Sequence, residues 1–334
     1  MPFEIVKPDT HIDFIGKRHL AGALSALLLL ASVIAIPLRG IQVGIDFAGG
    51  TEIQVRFEPG VQADEGRIRE VVGGLDGIDG LDVVRYGEAG AERQEFLLKF
   101  QSTAVEAPVE AAEDAALVEG DAEAAAEVEE AAEAESDIVV QISQTLGGAI
   151  GAHSLERVEF VGPRVGAELR DDGLKALLFA SLVILGYIAF RFSSRFAPGA
   201  IVAVLHDLLI TAGLFVILGL EFDLRILAAM LAILGYSLND TIIIYDRIRE
   251  NMAIRTKFDL PEVLNQSVNQ TLSRTVLTSG TTLAALLSLF FLGGEVIRPF
   301  AFAMTIGVLI GTYSSVFIAA PTLLFLETRW GGAK

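Results

Sequence analysis

The sequence predicts an α-helical polytopic membrane protein that has six transmembrane helices and one α+β ferredoxin-like (βαββαβ) extracytoplasmic domain. First, the 334-residue chain is 52% hydrophobic with a mean hydropathy of +0.53, which is too apolar for an ordinary soluble domain of this length. Second, its apolar residues form long uncharged blocks, and about 20 such residues span a bilayer as a helix. Third, one long hydrophilic stretch, residues 39–173, carries alternating strand and helix patterns.

The uncharged blocks place the six spans at residues 19–38, 174–192, 196–220, 224–246, 275–292 and 299–327. The first block could instead be a cleavable signal peptide, because Lys17 and Arg18 precede it and Val33-Ile34-Ala35 resembles a cleavage site. However, the block is long for such a peptide and further spans follow it. A retained helix is therefore the favoured interpretation.

The hydrophilic stretch contains six short elements in a recognisable order. TEIQVRF (51–57) alternates apolar and polar residues as a half-buried strand does, and residues 81–86, 95–100 and 155–161 predict three further strands. Residues 63–73 and 136–146 have helical spacing. The order βαββαβ is that of the ferredoxin-like unit, with two helices on one face of a four-stranded antiparallel sheet.

An acidic low-complexity insert, residues 104–136, falls between the third strand and the second helix of this domain. It holds 12 Asp or Glu residues and no Lys or Arg, so it accounts for most of the net charge of −18. A segment so poor in aromatic residues cannot bury enough surface to fold by itself. We expect a solvated, partly helical loop, and a specific docking tail is the alternative.

The distribution of Lys and Arg predicts the orientation in the cytoplasmic (inner) membrane. If residues 1–18 and 329–334 are cytoplasmic, the inner segments carry 12 basic residues and the short outer loops carry only Arg225 and Arg298. The domain at 39–173 is then periplasmic. Residues 260–273 have apolar side chains along one side and predict an amphipathic helix on the cytoplasmic membrane surface.

Composition also excludes several classes of function. The acidic balance argues against nucleic acid as a partner, because nucleic-acid binding needs a basic face. The chain has no Cys and only four His without a HExxH pair, so no cofactor or metal is expected. Because no nucleophile–base set or phosphate loop is present either, the sequence does not predict an enzyme.

Ionisable residues inside the predicted spans indicate function, because each costs about 2.5–3.5 kcal/mol to insert. His206 and Asp207 lie in the third span, Asn239 and Asp240 lie in the fourth, and Arg274 begins the fifth. A buried carboxylate beside a movable guanidinium suits proton coupling, since burial and the cation act on it in opposite directions. The alternative is a static ion pair or hydrogen-bond network that joins helices.

Six motifs that follow one another along the chain resemble the SecF family. They are GIDFAGGT (44–51), VGPRVG (161–166), LHD (205–207), LGYSLNDTIIIYDRIREN (234–251), SRT (273–275) and GTYSS (311–315). The resemblance covers nearly the whole chain apart from the acidic insert, which departs from the family pattern. Because of this insert, the resemblance does not predict the shape and contacts of the soluble domain.

The resemblance implies half of a resistance-nodulation-division transporter fold, with SecD supplying the other half. The pair would use the proton-motive force on an unfolded polypeptide after SecA has driven it through the SecYEG channel, and YajC-like subunits would accompany them. The family's proton-path acid and arginine fall on Asp240 and Arg274, and the transmembrane path would extend to Asn239, His206 and Asp207. The motifs contain further positions whose roles the resemblance does not indicate: Gly49, Gly50, Thr51, Asp246, Arg247 and Gly311.

Two other functions remain open from the sequence. One is a structural subunit whose polar spans hold SecD in place without conducting protons. The other is a proton-coupled exporter of small molecules or lipids from the same superfamily. That activity would require a pocket in a much larger outer domain.

Overall fold

A computed structural model describes residues 11–86, 94–102, 122–192, 195–254, 259–294 and 296–330, with the backbone alone for residues 102, 122–135 and 330. The chain divides into two compact units. One comprises Met1–Gln42 and Gly173–Lys334, and the other comprises Val43–Asp172.

Six helices are long and apolar enough to cross a bilayer, which confirms the predicted number of spans and a multi-pass membrane protein. The first five are α1 (Arg18–Arg39), α5 (Pro163–Arg191), α6 (Ala197–Leu218), α7 (Leu224–Ile254) and α8 (Leu260–Leu292). The sixth span comprises α9 (Arg298–Ser314), a π-helical turn (Ser315–Ala319) and α10 (Ala320–Trp330).

Three of these helices extend well beyond their predicted spans. The predicted surface helix at 260–273 and the fifth span at 275–292 form one continuous helix, α8, because no Gly or Pro interrupts the chain between them. Helix α7 continues eight residues beyond 246, and α5 begins eleven residues before 174 with Pro163 at its start. Hydropathy locates only the apolar part of each helix, so it missed these polar extensions.

Small residues bring α9 close to α7. A Cβ atom on Gly307 would lie 2.2 Å from the side chain of Ile233, and one on Gly311 would lie 3.1 Å from Ser237 Cβ. Such contacts leave no room for a larger side chain at Gly307. The two glycines are therefore close-packing positions.

The π-helical turn interrupts the sixth span beside this contact. The hydroxyl of Tyr245 on α7 donates a hydrogen bond of 3.0 Å to the carbonyl oxygen of Ala319. Tyr245 is fully buried, and its ring packs edge-on against Phe192 and Phe196. The bond therefore ties α7 to the irregular turn of the sixth span.

The soluble unit is built on a four-stranded antiparallel sheet in the order β2-β3-β1-β4. Its strands are β1 (Gly50–Phe57), β2 (Ile78–Tyr86), β3 (Glu95–Ser102) and β4 (His153–Val161). Its helices are α2 (Ile45–Ala48), α3 (Glu65–Val72) and α4 (Ala122–Ala149). The buried faces of α3 and α4 share one apolar core with alternate residues of the strands.

Helix α4 is longer than the helix predicted at 136–146. It begins at Ala122, inside the acidic insert, because Ala and Glu are strong helix formers. The prediction of a partly helical segment therefore agrees with the structure over 122–136. Residues 103–121 lie outside the described residues.

A clasp formed by two asparagines of α8 holds the chain that precedes α1. Asn265 Oδ1 accepts hydrogen bonds from the backbone N–H groups of Phe14 and Ile15, each 2.9 Å long. Asn269 accepts from Ile12 N at 2.9 Å and donates to Ile12 O at 2.8 Å. Ile15 is thereby buried in the apolar core at this end of the bundle. The sequence analysis did not single out either asparagine.

We expect acid to loosen this clasp. The Asn265 side chain and the Gly16 N–H donate hydrogen bonds to Asp13 and lower the pKa of its carboxyl group. The stabilisation from this lowered pKa is present above the ordinary pKa of Asp and is lost as pH falls through the lowered value. A fluorescent dye attached to the variant His11→Cys should become more mobile as pH falls through this value. The measurement is a fall in fluorescence anisotropy.

Two variants control this experiment. Asn265→Ala should show the mobile dye at every pH, because two backbone N–H groups lose their acceptor. Asp13→Asn should show no transition in the acid range. A transition that persists in Asp13→Asn would contradict the assignment to this carboxylate.

Candidate functional site

Asp207 is the centre of a buried network that joins three spans. Its carboxylate accepts hydrogen bonds from Ser237 of α7 at 2.5 Å and from Ser314 of α9 at 2.7 Å. His206 Nδ1, on the same helix α6, lies 2.8 Å from Asp207 Oδ1 and carries the proton, because a carboxylate can only accept. Asp207 is 1% exposed, and these three hydrogen bonds satisfy its carboxylate inside the bundle.

The histidine ring extends the network towards α1. The ring of His206 stacks on that of Tyr313 at 6.3 Å, and the Tyr313 hydroxyl donates to Ala21 O at 2.6 Å. Ser25 of α1 shares a 3.0 Å hydrogen bond with the same hydroxyl. His206 Nε2 is buried and has no hydrogen-bond partner among the described residues.

Asp240 of α7 faces α8 and is held far more loosely. It is 2% exposed, and one long hydrogen bond of 3.4 Å reaches it from Ser279 Oγ. Ser279 Oγ also shares a 2.8 Å hydrogen bond with Thr312 of α9. This buried carboxylate therefore has acceptor capacity left over, in contrast to Asp207.

Arg274 and Asn239 do not join Asp240 in a closed cluster. Arg274 lies within electrostatic range of Asp240, but the two form no ion pair and the Arg274 side chain is exposed. Asn239 is exposed on the other face of α7. The structure thus brings Asp240 to Ser279, which is bonded in turn to Thr312, and it shows no ion pair between Asp240 and Arg274.

The motif residues Asp246 and Arg247 form ion pairs in the terminal turns of α7. Asp246 pairs with Arg191 of α5 and with Arg249, each at 3.3 Å, and Arg247 pairs with Glu250 at 2.9 Å. These side chains are 37–57% exposed, and ion pairs open to solvent contribute about 0–1 kcal/mol each. They fix the end of a helix rather than extend the buried network.

The double-glycine motif forms a tight corner in the soluble unit. Gly49 and Gly50 have φ values of 76° and 133°, and β1 begins at Gly50 with Thr51 fully buried. A Cβ on Gly49 would lie 2.7 Å from Pro163 Cα, while one on Gly166 would lie 2.9 Å from Gly49 N. The motif therefore lets the first turn of α5 pack directly on the backbone that enters β1.

Replacing Asp207 with Asn is expected to lower the stability of the bundle by about 1–3 kcal/mol. The amide nitrogen would face a hydroxyl or imidazole donor, and one buried group would lose its partner. Asp246→Asn, at a solvent-accessible ion pair, should cost only about 0–1 kcal/mol. The unfolding midpoints of both variants in detergent test this difference, and equal midpoints would contradict the structural role of Asp207.

Two family descriptions match this chain. "Protein export membrane protein SecD/SecF, C-terminal" covers residues 142–329, and "SecD/SecF GG Motif" covers residues 34–61, which include the glycine corner. The protein translocase subunit SecF of Calditerrivibrio nitroreducens is 38% identical over 333 residues, which are 97% of each chain. The chain belongs to the SecF family of protein translocase subunits.

Other SecF-family proteins and a solved structure agree with this assignment. The protein translocase subunit SecF of Magnetococcus marinus is 42% identical over 320 residues, covering 95% of this chain and 93% of its own. The crystal structure of SecDF from Thermus thermophilus, a translocon-associated membrane protein, is similar with a TM-score of 0.77 and 32% identity. That similarity covers 97% of this chain and 40% of the SecDF chain, so this SecF-family chain spans less than half of the SecDF length.

Sequence reasoning missed the three hydroxyl partners of the two buried acids, and it also missed Thr312, which bonds to one of those partners. Ser237 and Ser314 lie inside two of the quoted SecF-family motifs, as does Thr312, but nothing in the motifs distinguished them from packing residues. Ser279 was one of several hydroxyls in the fifth span, and its orientation was not readable from spacing alone. Their positions at helix–helix contacts depend on which faces meet, which is a tertiary property.

Proposed function

We propose that this chain is a SecF-like subunit that acts with SecD to complete the export of unfolded preproteins across the cytoplasmic membrane. SecA would first drive the preprotein through SecYEG, and the proton-motive force would power the later stage. The observation that carries the proposal is Asp240, a buried carboxylate in a membrane span with one long hydrogen bond and an arginine on the neighbouring helix. YajC-like subunits are further expected partners.

The two buried acids support different roles. Asp207 accepts three hydrogen bonds, so protonation would disrupt an interhelical network. Asp240 accepts one weak hydrogen bond, so it can gain or lose a proton with little rearrangement of its neighbours. We therefore assign proton transfer to Asp240 with Arg274, and assign Asp207 and His206 to the frame that holds α6, α7 and α9 together.

The soluble unit supports the periplasmic role expected of a ferredoxin-like domain. The strand order β2-β3-β1-β4 and the order of the described elements support this assignment. The excess of Lys and Arg in the other loops favours cytoplasmic termini and a periplasmic location for this unit. A translocating chain would meet it on leaving the channel.

Energetics limit the work that one proton can do. A proton that crosses 100 mV releases about 2.3 kcal/mol. That energy can bias a domain between two states but cannot unfold a stable protein, whose stability is about 5–15 kcal/mol. The proposal is therefore prevention of backsliding by an unfolded chain rather than forceful extraction.

A structural subunit without proton conduction is the second candidate, and the Asp207 network favours it. Three spans joined by a satisfied carboxylate would suit a scaffold for SecD. The candidate does not account for the spare acceptor capacity of Asp240.

Co-expression with SecD in a strain that lacks both proteins tests the proposal. The chain should copurify with SecD, and the pair should restore export of a secreted reporter. A protonophore added after the SecA step should remove the restored part. Export that is restored but insensitive to the protonophore would favour the structural candidate.

A further inference from the structure

One buried face of α8 carries a hydroxyl at every fourth residue. This hydroxyl stripe consists of Ser267, Thr271, Thr275 and Ser279, which are 0%, 6%, 2% and 4% exposed. Residues four apart lie above one another on a helix, so the four side chains form one line. At 1.5 Å per residue the line is about 18 Å long.

Both ends of the hydroxyl stripe contact polar groups of α7. At one end, Ser279 Oγ donates to Asp240 Oδ2 at 3.4 Å. At the other end, Asn251 Nδ2 donates to Ser267 Oγ at 2.9 Å and to Gln270 Oε1 at 2.9 Å. The stripe thus links the candidate proton site to the end of α7 that bears the Asn251 side chain.

The Thr275 hydroxyl is the one in the stripe that has no hydrogen-bond partner among the described residues. Ser267 Oγ donates to Val263 O at 2.7 Å, and Thr271 Oγ1 donates to Ser267 O at 3.0 Å. The hydroxyl of Thr275 is equally buried but has no hydrogen-bond partner within the described part of the chain. An unsatisfied buried hydroxyl costs about 1–3 kcal/mol, which a bound water removes.

The register of the two helices explains why Thr275 has no partner. Helices α7 and α8 are antiparallel, because Asn251 meets Ser267 and Asp240 meets Ser279. Counting between these contacts places Thr275 opposite Ile244, which is 1% exposed and offers no acceptor. Among the described residues, no protein group completes the hydrogen bonding of Thr275, so its hydroxyl is available to a water molecule.

We propose that a water molecule bound at Thr275, with further water molecules in the other steps of about 6 Å between successive hydroxyls, forms a proton-conducting path along the hydroxyl stripe, from Asp240 to the Asn251 end of the bundle. The inference rests on the proposed function and identifies the cytoplasmic exit of the proton. Each hydroxyl or water that passes a proton forward accepts one from the group behind it, so charge and atoms balance at every step. The stripe acts only as a conductor, and Asp240 remains the group that holds the proton.

The test measures proton flux into vesicles that contain the complex of this chain with SecD, using an enclosed pH-sensitive dye. Thr275→Val has nearly the same shape but cannot bind the water, and its flux should fall about tenfold, as expected when one hydrogen bond is lost at the barrier. Thr275→Ser should retain the flux. Thr281→Val is the matched control, because the Thr281 hydroxyl is exposed and donates to Leu277 O of its own helix at 2.9 Å.

Each outcome separates the path from the proposed function. If the parent complex conducts and Thr275→Val conducts equally well, the hydroxyl stripe is not the path although proton coupling stands. If the parent complex does not conduct under an imposed gradient, the proposed function itself fails. Copurification with SecD and an unchanged unfolding midpoint show that a low flux in Thr275→Val does not result from misfolding.

Water access to Thr275 provides a second measurement. The chain has no cysteines, so Thr275→Cys is a unique thiol. A small, charged, water-soluble thiol reagent should modify it in the complex, and the modification should stop proton flux. A thiol at Thr275 that resists the reagent while Ser267→Cys reacts would overturn the water site.

Discussion

Replacing Asp240 with Asn is expected to abolish the proton-dependent part of export while leaving the bundle folded. Asn has nearly the same size and can still accept the single hydrogen bond from Ser279, but it cannot take up or release a proton. Export of a reporter in inverted vesicles with SecD should fall to the rate seen after the gradient is collapsed. The variant should copurify with SecD in normal amounts.

Glu250→Gln provides the matched control for this substitution. Glu250 lies on the same helix, and its exposed side chain pairs with Arg247 three residues earlier. The same loss of a carboxylate there should leave gradient-dependent export unchanged. If Asp240→Asn assembles with SecD and exports at the normal gradient-stimulated rate, the chain is a structural subunit.

Replacing Gly49 with Ala is expected to destabilise the soluble unit by about 2–5 kcal/mol. A left-handed backbone costs a residue with a Cβ about 1–2 kcal/mol, and overpacking costs about 1–3 kcal/mol more. The added Cβ would lie 2.7 Å from Pro163 Cα, a backbone atom that cannot rotate away. The expected result is a lower unfolding midpoint of the full chain in detergent and faster proteolysis near Gly49.

Gly60→Ala separates the two costs. Gly60 also has a positive φ of 95°, but a Cβ there would meet no atom within 4 Å. Gly60→Ala should therefore lower the free energy of unfolding only by the cost of the left-handed backbone, about 1–2 kcal/mol. Equal losses in Gly49→Ala and Gly60→Ala would show that the contact with α5 contributes nothing to the corner.

Several features of this fold were predictable because they depend on local sequence. The six spans follow from uncharged blocks, and the four strands follow from period-two alternation, as in TEIQVRF at 51–57. The continuity of α8 was not predicted, because hydropathy changes at Ser273 although the helix does not end there. The clasp was missed because Asn265 binds backbone atoms some 250 positions away in the sequence.

The sequence by itself determined which residues are unusual, since a charge in an apolar block is costly wherever it points. It marked both Asp207 and Asp240 because both lie within apolar blocks, and the resemblance to the SecF family singled out Asp240. Only the tertiary structure decided that Asp207 is held by three donors from three helices and that Asp240 is held by one long bond. The reason is that hydrogen-bond partners come from helix faces that meet only in the folded bundle, and no local pattern records which faces meet.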